Sequence, residues 1–322
     1  MTKLTCRFLC FLFIAAVAAP AGAQSSPGAT TRLLVGYAPG GPVDLTARRL
    51  APFLQKDLDQ IVIVDNRPGA GGLVALQQLA NAAPNGLTLL LVADPTQTIA
   101  PHLQKDLSFD PLNDFTAIGG VVESTLALLV NKDLPVQSMS EFIAHARASP
   151  GQLTFGSAGV GSGNHLAGEL LAQMTGAGML HVPYKGNAPA MTDVISGKLT
   201  FMFGAAGSAV SFVKSGQLRA LAVTSRIRNR TLPDTPTMIE AGLPRLGVTN
   251  WYALEAPPRL APALVSRLNT ALRNSLADPE LARQLIGMGY EVAPSSPEAL
   301  RARITAEYEL WRGVIKGLKI EQ

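Results

Sequence analysis

Arg32-Leu33-Leu34-Val35-Gly36-Tyr37-Ala38-Pro39-Gly40-Gly41-Pro42-Val43-Asp44 is the stretch that decides the fold. Arg32 to Tyr37 reads as a short strand, Pro39 to Gly41 as a turn, and Pro42 to about Leu58 as a helix with Leu50, Phe53 and Leu54 on its apolar stripe. Pro42 suits the first helical turn, where its missing N–H costs nothing. Glycines let the backbone approach a ligand, and a helix start offers unpaired N–H groups and the positive end of a dipole. Asp44, near the third helical position, has the chemistry to cap those N–H groups, a role that would shape a pocket even without touching its contents.

The same strand–turn–helix pattern returns at Leu153 to Phe155, the Gly/Ser turn of residues 156 to 163, and a helix from Asn164 to Met174. Ser157, Ser162 and Asn164 add side-chain hydrogen-bonding capacity there. Leu166, Leu170, Leu171 and Met174 fall at helical spacing and read as core. Two helix starts facing one cleft would hold a carboxylate without an arginine.

Working outward, Ile61 to Val64 and Leu87 to Val92 read as further strands of the first series. Ala117 to Val130 reads as two consecutive strands, a stretch able to leave one sheet and enter another. A second series continues through His181 to Tyr184, the helix Pro189 to Ile195, and the strands Leu199 to Phe203 and Leu218 to Thr224. Val248 to Leu254 leads back, and the end is helical at Pro262 to Leu276, Pro279 to Met288 and Pro297 to about Leu318. Strands alternating with helices predict an α/β fold of βαβ units. Two crossings imply two lobes: residues 31–121 with 250–322, and residues 122–249. A cleft between them is where a ligand would sit.

Lys3 and Arg7, the apolar run Phe8 to Ala19, Pro20 and the small residues Ala21-Gly22-Ala23 read as a cleaved export signal over residues 1–23. Cys6 and Cys10 both lie inside it, so the mature chain would carry no thiol chemistry and no disulfide. Of 27 Lys and Arg, two lie in the signal, leaving 25 against 23 Asp and Glu. That balance argues against nucleic acid, and no later segment is long and apolar enough to span a bilayer.

Several catalytic patterns fail. Phe155-Gly156-Ser157-Ala158-Gly159 has Phe where a nucleophile elbow needs Gly. Asn164 and Val74 stand where dinucleotide fingerprints need their last Gly. His102, His145, His165 and His181 show no metal-ligand spacing. No cofactor is expected. A secreted serine hydrolase using Ser157 or Ser162 with His165 or His181 is the weaker alternative. A ligand-sensing partner of a signalling protein is the other.

The sequence resembles the solute receptors of tripartite tricarboxylate transporters, the Bug family, over nearly the whole mature chain. Those receptors carry Pro-Ala-Gly-Gly-x-x-Asp, here Ala38-Pro39-Gly40-Gly41-Pro42-Val43-Asp44 with the proline moved one place. They carry Glu-Asn-Arg-Pro-Gly-Ala-Gly-Gly, here Asp65 to Gly72, and a Gly-x-Gly-Ser-x-x-His-Leu-Ala-Gly-Glu segment, here Gly159 to Glu169. His181 to Gly186 and Arg219 to Thr224 are also typical. The resemblance implies a two-lobed, type II Venus-flytrap receptor with a mixed sheet in each lobe. It would be periplasmic, would bind a small carboxylate without acting on it, and would deliver it to membrane transporter subunits; with no oligomeric signal in the sequence, a monomer is the default expectation.

On that pattern Tyr37, Ala38, Gly40, Gly41, Asp44, Ser162, Gly163, Asn164 and His165 inherit ligand contact, with Ser157 beside them. Three further positions depart from the family. Phe203-Gly204-Ala205-Ala206 replaces Phe-Asp-Asn or Phe-Asp-Ser, so Ala205 and Ala206 imply a greasier wall. Asp94 stands where relatives place Ser, Thr or Gly, and would repel an anion if it faced the pocket. Ala100-Pro101 replaces Asn-Pro.

Overall fold

The computed structural model describes residues 28–317 except Lys105, Gly161, Lys185 and Val248. The expected export signal and its two cysteines lie outside the described residues.

The first half runs β1 (Thr30–Val35), α1 (Pro42–Leu58), β2 (Ile61–Asn66), α2 (Leu73–Ala80), β3 (Thr88–Ala93), α3 (Asp94–Thr98), α4 (Ala100–Leu103) and β4 (Thr116–Ser124). It continues with β5 (Leu126–Asn131), α5 (Met139–Ala148), β6 (Leu153–Ser157), α6 (Gly163–Thr175), β7 (Met179–Pro183), α7 (Asn187–Ile195), β8 (Phe201–Ala205), α8 (Ala206–Lys214) and β9 (Leu218–Val223). The chain ends in β10 (Asn250–Ala256), α9 (Pro262–Ala277), α10 (Pro279–Gly287), β11 (Glu291–Val292) and α11 (Pro297–Gly317).

Two mixed sheets result. The first has the order β11-β4-β10-β3-β1-β2 and the second β7-β6-β8-β5-β9. In the first, β1 pairs parallel with β2 and β3, while β10 runs antiparallel between β3 and β4. In the second, β6 is parallel to β7 and β8, while β5 is antiparallel to β8 and β9. The expected double strand over residues 117–130 breaks at Thr125, with β4 in the first sheet and β5 in the second.

Each sheet is covered on both faces, as parallel strands require. On α1 the spacing of Val43, Ala47, Leu50, Leu54 and Leu58 puts all five on one buried face, packed with α9 and α10. Leu50, Leu54 and Leu58 are at most 1% exposed. Burying each contributes about 1.5–3 kcal/mol, an upper bound because the unfolded chain already hides some apolar surface. The opposite face carries α2 and the start of α11, through Leu76, Leu79, Leu300 and Ile304. The second sheet is sandwiched between α5 with α6 and α7 with α8. Trp311 and Val314, late in α11, join the α5–α6 cluster, so the last helix touches both cores.

The short α3, α4 and β11 have no counterpart in the sequence reading, and three other elements differ from it for an identifiable reason. Helix α5 was not anticipated, although Ser138 Oγ accepts from Glu141 N at 3.2 Å in a recognisable cap. Helix α8 fills the gap between two expected strands. Strand β8 starts at Phe201 and not Leu199, because the Leu199 N–H closes a turn on Asp193 O at 3.0 Å.

Candidate functional site

Three segments interlock at the carboxyl ends of β1, β2 and β3. A Cβ on Gly36 would lie 2.7 Å from Gly72 Cα, and one on Gly72 would lie 2.6 Å from Thr96 Oγ1. Glycine at both positions is what lets the turns meet. The Tyr37 hydroxyl lies 2.7 Å from Thr96 Oγ1, which donates to Gly71 O at 2.7 Å. Burial pushes the Tyr37 phenol above its ordinary range.

Asp44 is fully buried. Its Oδ2 accepts from Gly40 N at 2.8 Å and from Arg48 Nε at 2.9 Å, and its Oδ1 accepts from Asn66 Nδ2 at 2.8 Å. Asn66 also donates to Tyr37 O at 3.1 Å. Burial alone would raise the Asp44 carboxyl, but the bonds from Arg48, Gly40 and Asn66 outweigh it and hold the group below the usual carboxylate range. Asp44 therefore ties the first glycine turn together and presents backbone, while Ala38 and Gly40 stand exposed. Asn66 and Thr96 carry this scaffold and were not singled out by the sequence reading; only the motif containing Asn66 pointed there.

In the second turn Ser157 is buried, with its Oγ 2.6 Å from His181 Nε2 and 3.1 Å from Gly159 O. The parallel register sets this up, since Phe155 pairs with His181 and Ser157 with Pro183. The His165 and His181 ring centroids lie 3.9 Å apart with the rings tilted by 32°, and His165 Nε2 lies 3.6 Å from Glu169 Oε1. Burial, with His165 alongside, lowers His181 to about 4. Asn164 is buried; its Oδ1 accepts from Ala158 N at 3.3 Å and its Nδ2 donates to Asn187 at 2.5 Å. Ser162 Oγ donates to Gly159 O at 2.5 Å. The polar side chains of this turn are thus spent on shaping it. Gly163 opens α6 against the first sheet's β10: a Cβ there would lie 2.3 Å from Asn250 Oδ1.

Asp94 does not face solvent at the pocket. It is 4% exposed, and its Oδ1 accepts from Trp251 N at 3.2 Å. Burial, then the Glu307 carboxylate, push it well above the usual carboxylate range, which favours the neutral form. Ala205 and Ala206 close β8 and open α8, with Ala206 N donating to Thr125 O at 2.8 Å between the sheets.

Helices α1, α6 and α8 all begin at strand ends without a side-chain cap, at Gly41, Ser162 and Ala205. First-turn N–H groups of such helices are available to a ligand in general, but here Pro42 has no N–H and the Ala206 N–H is spent on Thr125 O. Exposed Leu45, Val74 and Val160 stand beside them, at 42%, 45% and 62% exposure. Among the described residues no acid, His and Cys group has metal-binding geometry, and no helix is long and apolar enough to cross a membrane.

The family described as "Tripartite tricarboxylate transporter family receptor" matches residues 46–320. The chain belongs to that receptor family. It is 32% identical to protein BugT of Bordetella pertussis over 98% of this chain and 97% of BugT. Among solved structures it is similar to MatC from Rhodopseudomonas palustris with bound malate, at 30% identity and TM-score 0.69, covering 90% of this chain and 100% of MatC. It is also similar to a TctC solute-binding protein from Polaromonas, without ligand, at 27% identity and TM-score 0.83, covering 91% of this chain and 99% of that one. The two-lobed architecture and the family resemblance read from the sequence are both borne out.

Proposed function

We propose that this receptor takes up one small organic acid in the cleft between the glycine turns of its two sheets, and presents it to the membrane subunits of a tripartite transporter. The observation that carries the reading is the set of uncapped helix starts of α1, α6 and α8 at carboxyl strand ends. Oriented N–H groups and dipole ends favour an anion and need no cationic side chain. MatC, a relative of the same fold, holds malate. Tyr37, Ala38, Gly40, Gly41 and Gly163 would offer backbone and hydroxyl contacts. Asp44, Ser157, Asn164 and His165 would act by holding the turns in shape.

Leu45, Val74, Val160 and Ala205 favour an acid with an apolar body over a citrate-like one, because closing over them buries apolar surface; Ala206, 1% exposed in the core of the second sheet, is no part of that wall. The lobes would be residues up to Thr125 with those from about 250, and the segment between, hinging at Thr125 and Asn250. The higher similarity to the ligand-free Polaromonas receptor than to malate-bound MatC, despite lower identity, favours an open state. Closure would follow ligand entry as a hinge motion.

No turnover is expected. The Ser157–His181 contact is what a hydrolase would need, but Ser157 is fully buried and bonded on both sides, which suits a structural pair. A thermal-shift screen of the mature protein against mono-, di- and tricarboxylates and aromatic acids tests the reading. A ligand that binds only the folded state raises the melting temperature. A saturable shift with an aryl or alkyl acid supports it; silence across all acids would contradict it.

A further inference from the structure

A cavity of about 820 Å³ lies beside the hinge, and its lining includes no residue of the glycine turns. The turns follow β1 and β6, each second from one edge of its sheet, next to β2 and β7. The cavity instead adjoins β4 and β11 at the far edge of the first sheet, and the loop after β9 at the far edge of the second. Helix α11 forms its floor. Its lining is thus distinct from that of the glycine turns, and its size falls within the range of small-molecule sites.

Its polar groups are not equally occupied. Arg303 lies 2.6 Å from Glu123 and 2.8 Å from Glu307, and donates to Thr249 Oγ1 at 2.7 Å. Glu307 also accepts from Trp251 Nε1 at 2.7 Å, and Glu123 from Thr249 at 2.8 Å. Glu291 accepts from Thr125 at 2.9 Å and from Asn229. Every lining carboxylate thus already has donors. Arg226 and Arg245, both on second-sheet loops in the cavity wall, have no acid partner among the described residues. Besides its polar groups the lining includes the apolar Val292 and Pro294, and Ala306 and Leu310 of α11, and Ile227 beside Arg226 stands 77% exposed.

We propose that this cavity is a second ligand site, for an amphipathic organic anion whose acidic head lies between Arg226 and Arg245 and whose apolar body lies along α11. Guanidinium groups match carboxylate and phosphate oxygens in a planar, two-bond geometry. A purely polar anion would leave the apolar wall unused, and an apolar neutral compound would leave both arginines unpaired.

The test is titration calorimetry of the mature protein with octanoate and with phenyl phosphate, which separates the two sources of an acidic head. Both probes are run on wild type, on Gly41→Val, which obstructs the proposed cleft, and on Arg226→Ala/Arg245→Ala. The proposal expects saturable binding of at least one probe that survives Gly41→Val and weakens roughly tenfold or more in the arginine double variant. It expects the double variant to keep the wild-type melting temperature and its affinity for the acid that the cleft selects. Should Gly41→Val fail to fold, the same titration is run on wild type saturated with that cleft acid. Binding that is lost with the cleft and kept in the double variant would overturn the second site, as would no saturable binding of either probe. Neither result bears on the cleft, whose own failure is read from the carboxylate screen.

Discussion

The Asn66 side-chain amide donates to Asp44 Oδ1 at 2.8 Å, tying the turn after β2 to the turn after β1. Asp44 sits inside a set of donors from Gly40, Arg48 and Asn66, and it acts on a ligand through the backbone it fixes. Asp44→Ala should weaken binding of the cleft acid by about 1–3 kcal/mol, the scale of a lost charge-assisted hydrogen bond. Asn66→Ala should weaken it in the same direction. Calorimetry on folded variants checks both, and unchanged affinity in Asp44→Ala would remove that role.

Gly163 meets Asn250 where the second helix start touches β10. Gly163→Ala should cost about 1–3 kcal/mol through overpacking. Adding Asn250→Ala should recover most of it by clearing the clash. Chemical denaturation of the single and double variants measures this, and additive losses would show that the two positions do not meet.

Glu255 is buried in β10, its Oε2 has no hydrogen-bond partner among the described residues, and burial raises it to about 8. An unfolded glutamate ionises near its ordinary value of 4.5, so between there and about 8 the unfolded chain holds fewer protons than the folded one. Stability from this group is full below the lower value and is lost as pH rises, by up to about 1.4 kcal/mol per pH unit. Glu255→Gln should therefore raise the melting temperature more at pH 8 than at pH 5. Parallel pH profiles would contradict the assignment.

His181 has the opposite sign. Burial and His165 lower it to about 4 against an ordinary value of 6.5, so it stays neutral where an unfolded histidine charges. Its contribution is present above about 6.5 and is lost as pH falls toward about 4. His181→Gln should flatten that part of the wild-type pH–stability curve, as thermal melts at closely spaced pH values would show.

Much of this was legible because local chemistry and fold agree. Pro42 marks the first turn of α1, and the stripe Leu50 and Leu54 marks its buried face. The family pattern from Asp65 to Gly72 located the second turn. What the sequence could not show was direction. Ser157 and Asn164 read as ligand donors, but their partners are His181 and Asn187, 24 and 23 residues away and supplied by tertiary register. Asp94 read as a charge beside a pocket; its partners Trp251 and Glu307 come from β10 and α11, more than 150 residues on. Helix α5 was missed although Ser138 and Glu141 have cap spacing, and α8 was missed because its alanine-rich start carries no cap.

The most direct measurement is titration calorimetry of the acid giving the largest thermal shift, on wild type and Gly41→Val side by side. A Cβ at Gly41 would already crowd Ala38 O at 3.3 Å, so valine narrows the backbone approach without touching either core. The account predicts a tight site in wild type that falls by roughly a hundredfold or more in the variant, the scale of a few lost hydrogen bonds, at an unchanged melting temperature. Equal affinity in the two proteins would place the acid elsewhere and contradict the cleft as the binding site.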